Sequence, residues 1–381
     1  MVQRHYWIDL VEDTWERRSV IWLSGVRRAG KTFLCRGLPE TDYFDCELPR
    51  TRQALRDPQS FLEDHKGRRI VLDEIHRLDN PSELLKIAAD YYPETRVIAT
   101  GSSTLGASAK FRDTLAGRKA EVWLTPMILS DLSDFEHTDL GHRFLSGGLP
   151  PFFIDPHLPE REFQEWVDAY WAKDIQQLFR LERRQSFAKF AELLMVHSGG
   201  IFEATRYATA CEVSRGTIAN YLAVMEATFL AHVIRPFTSH RPTEIVLAPK
   251  VYAFDTGFVC YHRGITNLRG EDMGLLWEHF VLNELHGRLQ TRDVHYWRDK
   301  RGHELDFILA KRSRPPTTIE CKWSANDFDP ANLRAFRRLY PEGDNFVVAH
   351  DAPDAYSRDY DGLRVRFVDL PALIQAAGAS A

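Results

Sequence analysis

Residues 25–32, Gly-Val-Arg-Arg-Ala-Gly-Lys-Thr, constrain the chain more than any other stretch. They have the spacing GxxxxGK[ST], follow an apolar run at 19–24 and open a helix-like segment. A strand before and a helix after are the context this pattern requires. The glycines let the backbone curl so that its N–H groups converge on phosphate oxygens, and the helix N-terminus adds positive potential. The expectation is a nucleoside triphosphate site formed by Gly25, Arg28, Ala29, Gly30, Lys31, Thr32 and Phe33. Lys31 would reach the β- and γ-phosphates, and the Thr32 hydroxyl would ligate Mg2+.

The flanking pattern agrees. Apolar strands at 19–24, 42–46, 69–72, 96–100 and 120–124 alternate with helix-like stretches, which predicts a parallel α/β sheet. The run at 69–74 ends in Asp73 and Glu74. A strand-end Asp suits a Mg2+ ligand, and the following Glu suits a group that polarises the attacking water. Arg118 precedes the last strand, where it is either a transition-state finger for a neighbouring subunit or an ordinary surface arginine.

Length and composition set the outer limits. A chain of 381 residues suggests two or three domains. Its 49 Lys and Arg against 54 Asp and Glu give a net charge of −5, which excludes a polybasic coat. No run of about 18 apolar residues is present, so no membrane span is expected. The first ten residues have no apolar signal region, and the five cysteines are scattered without C-x-x-C spacing. A cytoplasmic protein without a disulfide framework is the expectation. Proline interrupts the pattern near residue 150 and between 242 and 249. The predicted architecture is a P-loop NTPase sheet over 1–150, a helical and winged-helix-like connector over 151–249, and an α/β restriction-endonuclease-like domain over 250–381.

The connector carries a turn and then a helix at 210–226, with Ser214 as the predicted N-cap and Ile218 and Leu222 on the buried face. Arg215, Thr217 and Asn220 would face solvent or DNA. Within residues 176–241 eight basic residues oppose five acids, and within 288–314 eight oppose four. Such locally basic surface suits a phosphodiester partner, with a solvated charged face as the bland alternative.

The tail predicts a helix at 274–289, strands at 294–297, 303–309 and 317–322, a helix at 330–339 and a strand at 345–349. With period two, Glu304 and Asp306 share one strand face and Glu320 and Lys322 another. Asp306, Glu320 and Lys322 together read as a PD-(D/E)xK metal site, where Mg2+ or Mn2+ would activate water against a phosphodiester. The alternatives are edge-strand charges that keep the chain soluble, and a plain Glu320–Lys322 ion pair.

The segments GVRRAGKTFL, IVLDEIH, IATGSS, LAGR with LTPMILSDL, SGGLP, and WEHFVLNEL with YWRDKRGHELDFIL and IECKWS occur in that order. Over nearly the whole chain this resembles prokaryotic AAA-type ATPases that carry a C-terminal domain of unknown function, the family numbered 4143. The resemblance implies ATP and Mg2+ as cofactors and Ser102 (rather than Thr100 or Ser103) as a γ-phosphate sensor; an Arg118 acting in trans would imply a homo-oligomer, with a ring as one form. Glu278, on the helix before the tail's strands, resembles the additional helical acid of resolvase-like members of the PD-(D/E)xK type. Two departures are the short segment before the first strand and LTPMILSDL, where the family usually has an aromatic and a Glu. The expected function is an ATP-dependent protein acting on DNA. A nucleotide-gated switch without nuclease activity is the alternative.

Overall fold

The computed structural model describes residues 2–101, 109–155, 157, 160–175, 184–238, 248–311 and 314–379. By compactness the chain falls into two units, 1–184 with 223–230, and 185–222 with 231–381.

The first unit is built on five parallel strands: β1 (Val20–Ser24), β2 (Thr41–Asp45), β3 (Arg69–Asp73), β4 (Arg96–Thr100) and β5 (Lys119–Trp123), in the order β2-β3-β4-β1-β5. All five β1 residues are buried, as are four of five in β3 and in β4. Such continuous apolar runs mark strands covered on both faces. Trp22, Ile70, Leu72, Leu85, Val97 and Phe111 pack in one core cluster, with the Trp22 and Phe111 ring centroids 4.7 Å apart. The helix His5–Trp15 buries Trp7, Val11 and Trp15, an i, i+4, i+8 stripe. Because β1 lies beside β4 and β4 beside β3, their carboxyl ends are neighbours, which is where open α/β sheets place ligands.

The second unit contains nine further strands: β6 (Gly200–Ile201), β7 (Ala231–Pro236), β8 (Lys250–Ala253), β9 (Val294–Arg298), β10 (Glu304–Leu309), β11 (Thr317–Lys322), β12 (Asn345–Ala349), β13 (Tyr356–Tyr360) and β14 (Leu363–Val368). They form one sheet in the order β13-β14-β12-β11-β10-β9-β7-β8-β6. β10 is antiparallel to both its neighbours, β9 and β11, whereas β11 and β12 are parallel. The sheet runs across residue 249, since β7 pairs with β9 at Arg235–His295 and Pro236–Tyr296. The helix Gly270–Leu289 is buried over most of its length, and Trp277 Nε1 donates to the Val348 carbonyl at 3.1 Å. No helix among the described residues is long and apolar enough to cross a membrane.

Ser214 caps the helix Arg215–Ala227 by accepting from the Thr217 N–H at 3.0 Å. The preceding helix, Ala204–Cys211, ends on Glu212 in a left-handed conformation, which makes the turn. Arg215 and Asn220 are exposed and Thr217 half-buried.

Candidate nucleotide site

The loop leaves β1 at Ser24 and reaches the helix Lys31–Gly37 through three positive-φ residues, Gly25 (137°), Arg28 (64°) and Gly30 (99°). At Gly25 a Cβ would sit 2.3 Å from the Leu124 carbonyl oxygen, so only glycine fits against the neighbouring chain. Lys31 folds back on the loop, donating to the Gly25 and Val26 carbonyls at 2.8 and 2.9 Å. Ala29 is fully buried and Phe33 is 65% exposed.

Thr32 Oγ1 donates to Asp73 Oδ2 at 2.9 Å. Asp73 is buried and also accepts from the Tyr43 hydroxyl and, through Oδ1, from Thr100 Oγ1. Burial and the adjacent Asp73 push the Tyr43 phenol well above its usual range, so it stays a donor. The hydroxyl and carboxylate expected to hold Mg2+ are thus side by side, and their chemistry fits that ion. Glu74 follows at φ 55°, and its N–H donates to Thr100 Oγ1 at 3.2 Å. Its carboxylate lies 3.1 Å from His76 Nδ1. Burial alone would raise the Glu74 pKa; the His76 contact and the charges of Lys31 and Arg27 outweigh it and leave it lowered.

Lys31, Thr32, Glu74 and His76 open on a cleft of about 810 Å3, within the roughly 300–1,000 Å3 of small-ligand sites. Lys31, Thr32 and Glu74 line one part, and Ile8, Phe33, Phe135, Pro150 and Ile154 supply an apolar wall.

One expected residue, Arg118, is not brought to this cleft. Arg118 pairs with Asp90 at 2.8 Å. It precedes Lys119, which is level with Val20 at the start of β1, whereas the loop leaves the other end. Ser102 lies outside the described residues, as does Ser103; Thr100, the last residue of β4, donates to Asp73.

A buried ion pair missed from sequence supports the loop. Arg4 forks onto Asp131, Nε to Oδ1 at 2.8 Å and Nη2 to Oδ2 at 2.6 Å, and its Nη1 donates to the Ala29 carbonyl at 2.8 Å. The two departures from the family pattern, the N-terminal segment and LTPMILSDL, therefore meet each other. The one available signal was an acid, Asp131, within an otherwise apolar stretch.

In the second unit the expected metal acids have other partners. Glu278 accepts from Lys250 Nζ at 3.2 Å and from the Tyr252 hydroxyl. Asp306 accepts from the Cys321 N–H at 2.8 Å, and Glu320 pairs with Lys322 at 3.2 Å. Lys250 also reaches Glu304 at 2.7 Å, and Arg298 lies 3.4 Å from the same carboxylate. Burial and the Asp306 charge raise the Glu278 pKa, and burial with Asp306 pushes Glu320 up further still. Among the described residues no group of three or more His, Cys, Asp or Glu is arranged to hold a metal ion. Of the acids expected to share a metal, Glu278 has the Lys250 ammonium beside it, Glu320 has Lys322, and Asp306 has a backbone donor. The basic stretch at 288–314 is likewise partly spent on acids, through Arg298–Glu304 and Arg288–Glu284.

The first unit thus joins a five-stranded parallel sheet to a phosphate-loop turn between its first strand and the following helix, and the comparisons agree with that arrangement. Residues 17–133 match the family model for an AAA domain. Residues 137–269 match a domain of unknown function (DUF8612), and residues 273–373 match another (DUF4143). The chain is 28% identical over 312 residues to the uncharacterized protein Rv2008c of Mycobacterium tuberculosis, covering 78% of this chain and 69% of that one. The same figures hold for the uncharacterized protein Mb2031c of Mycobacterium bovis. Among solved structures, a Walker-type ATPase of Pyrococcus abyssi aligns with TM-score 0.44 and 15% identity, over 69% of this chain and 96% of its own.

Proposed function

We propose that the chain hydrolyses ATP at residues 25–32 and couples this to work on DNA. The observation that carries the ATPase part is the Thr32–Asp73 hydrogen bond, with Glu74 next in sequence beside it. Thr32 and Asp73 would hold Mg2+, whose bound form supplies charge neutralisation at the β- and γ-phosphates. Lys31 binds phosphate, and Glu74 accepts a hydrogen bond from the attacking water. Arg118 acts only from a neighbouring subunit of an oligomer, since within one chain it lies level with the start of β1, at the opposite end from the loop.

The DNA part rests on two supports. Helix 204–211, the turn at Glu212 and the Ser214-capped helix have helix-turn-helix form, with β7 and β8 as the adjoining hairpin pair. The tail has the order helix, three antiparallel strands, helix and a strand parallel to the third, as a restriction-endonuclease-like core does. A second reading, a nucleotide-gated switch without cleavage, is favoured by Lys250 standing between Glu278 and Glu304.

One experiment separates them: ATP turnover with and without single-stranded, duplex and branched DNA, with cleavage followed in Mg2+ and Mn2+. The expected result is stimulation of turnover by one DNA structure. Cutting that is lost in Asp306→Asn supports the nuclease. Stimulation without cutting by either protein leaves a DNA-dependent motor. Turnover indifferent to every DNA, with no cutting, removes DNA from the proposal and selects the switch.

A further inference from the structure

We infer that Arg4 is a positioning residue of the nucleotide loop, holding the Ala29–Gly30 peptide so that the Gly30 N–H faces the phosphates; this rests on residues 25–32 being a triphosphate site. Arg4 is a charged side chain only 5% exposed. Two of its nitrogens are committed to Asp131 and the third, Nη1, to the Ala29 carbonyl at 2.8 Å. A guanidinium is planar and rigid, so fixing one edge on a carboxylate fixes where the other edge can donate. Asp131 is itself held twice more, by Trp7 Nε1 at 3.2 Å and by the Ile128 N–H at 2.9 Å. The donor that grips the loop is therefore anchored in the helix His5–Trp15 and in the segment after β5.

The consequence follows from peptide geometry. In a trans peptide the carbonyl and the next N–H point in opposite directions. With the Ala29 carbonyl turned onto Arg4, the Gly30 N–H is turned away from it. Gly30 is in the left-handed region, and a Cβ there would lie 3.4 Å from Arg4 Nη1, so the guanidinium rests against this part of the backbone. Glycine has little preference of its own between left- and right-handed conformations, so this peptide needs an outside hold to keep one orientation. Fold stability alone does not call for a charged pair here: buried ion pairs are commonly no more stabilising than apolar pairs of similar volume. What the pair supplies and an apolar pair cannot is a donor aimed at Ala29.

Arg4→Lys tests this. Lysine keeps a positive charge for Asp131, but one ammonium cannot fork onto the carboxylate and also donate to Ala29 in the same geometry. The variant is expected to fold and to bind ADP at least about tenfold more weakly, the loss of one charge-assisted hydrogen bond. Competition by adenosine, which has no phosphate, is expected to be unchanged. Methylguanidinium added to Arg4→Ala is expected to restore part of the ADP affinity. An Arg4→Lys protein that binds ADP as tightly as the unaltered chain overturns the inference. So does an equal loss for adenosine and ADP, which would mean a general loosening of the cleft. Absence of ADP binding by the unaltered chain is a separate result, and overturns the triphosphate site itself.

Discussion

Glu74→Gln binds ATP as the unaltered chain does and turns it over about 100- to 10,000-fold more slowly, the usual contribution of a positioned general base. The geometry behind this is local. Glu74 is held by its own N–H on Thr100 Oγ1, one residue beyond the Asp73 carboxylate that meets Thr32. The left-handed backbone at Glu74 turns the chain sharply at the strand end. Although burial works against ionisation, His76, Lys31 and Arg27 together lower the pKa, so the group is a carboxylate at neutral pH. Glutamine keeps the shape and loses the ability to take a proton. Phosphate release at saturating ATP, with nucleotide affinity measured separately, reads the two effects apart. Turnover within a few-fold of the unaltered rate would remove Glu74 from the chemistry.

The second large effect is on stability. Asp131→Ala is expected to cost about 3–5 kcal/mol, because it leaves the Arg4 guanidinium buried without its counter-ion. The carboxylate is fully buried and accepts from Arg4 twice, Trp7 and Ile128. For a unit of this size that is a fall in Tm of about 10 °C. Urea unfolding monitored by tryptophan fluorescence measures it. The double variant Arg4→Met with Asp131→Leu should regain most of the loss, since no unpaired charge remains, while nucleotide affinity stays weak. A single-variant cost below about 1 kcal/mol, the scale of a surface pair, would mean the carboxylate is not the anchor described.

What could be read from sequence, and what could not, divides along physical lines. The central strands β1, β3 and β4 are largely apolar runs because both faces are covered, and 69–72 and 96–100 reappear as β3 and β4. The strands expected at 317–322 and 345–349 are β11 and β12. Local chemistry was legible as well: a loop of eight residues is its own context, and Asp73 and Glu74 are adjacent. Pairings between distant residues were not. Arg4 and Asp131 are 127 positions apart, and each looks like an isolated charge on its own segment. Lys250 lay at a supposed boundary, and only the fold shows it among Glu278 and Glu304. The β13–β14 hairpin escaped because Tyr-Ser-Arg-Asp-Tyr is largely exposed and has no apolar alternation. β7 could not be assigned to the tail's sheet from periodicity, because its neighbour β9 is some sixty residues later.

The central claim is that residues 25–32 form a triphosphate site, and calorimetric titration of ATP with Mg2+ into the chain and into Lys31→Ala tests it most directly. Lys31 lines the cleft and sits over the Gly25 and Val26 carbonyls, where its ammonium is placed to meet a phosphate. The account predicts one site per chain in the unaltered protein and binding weakened about 100-fold or more in the variant, the loss of a charge-assisted contact of roughly 3 kcal/mol. Equal binding by both proteins, or none by either, would contradict it.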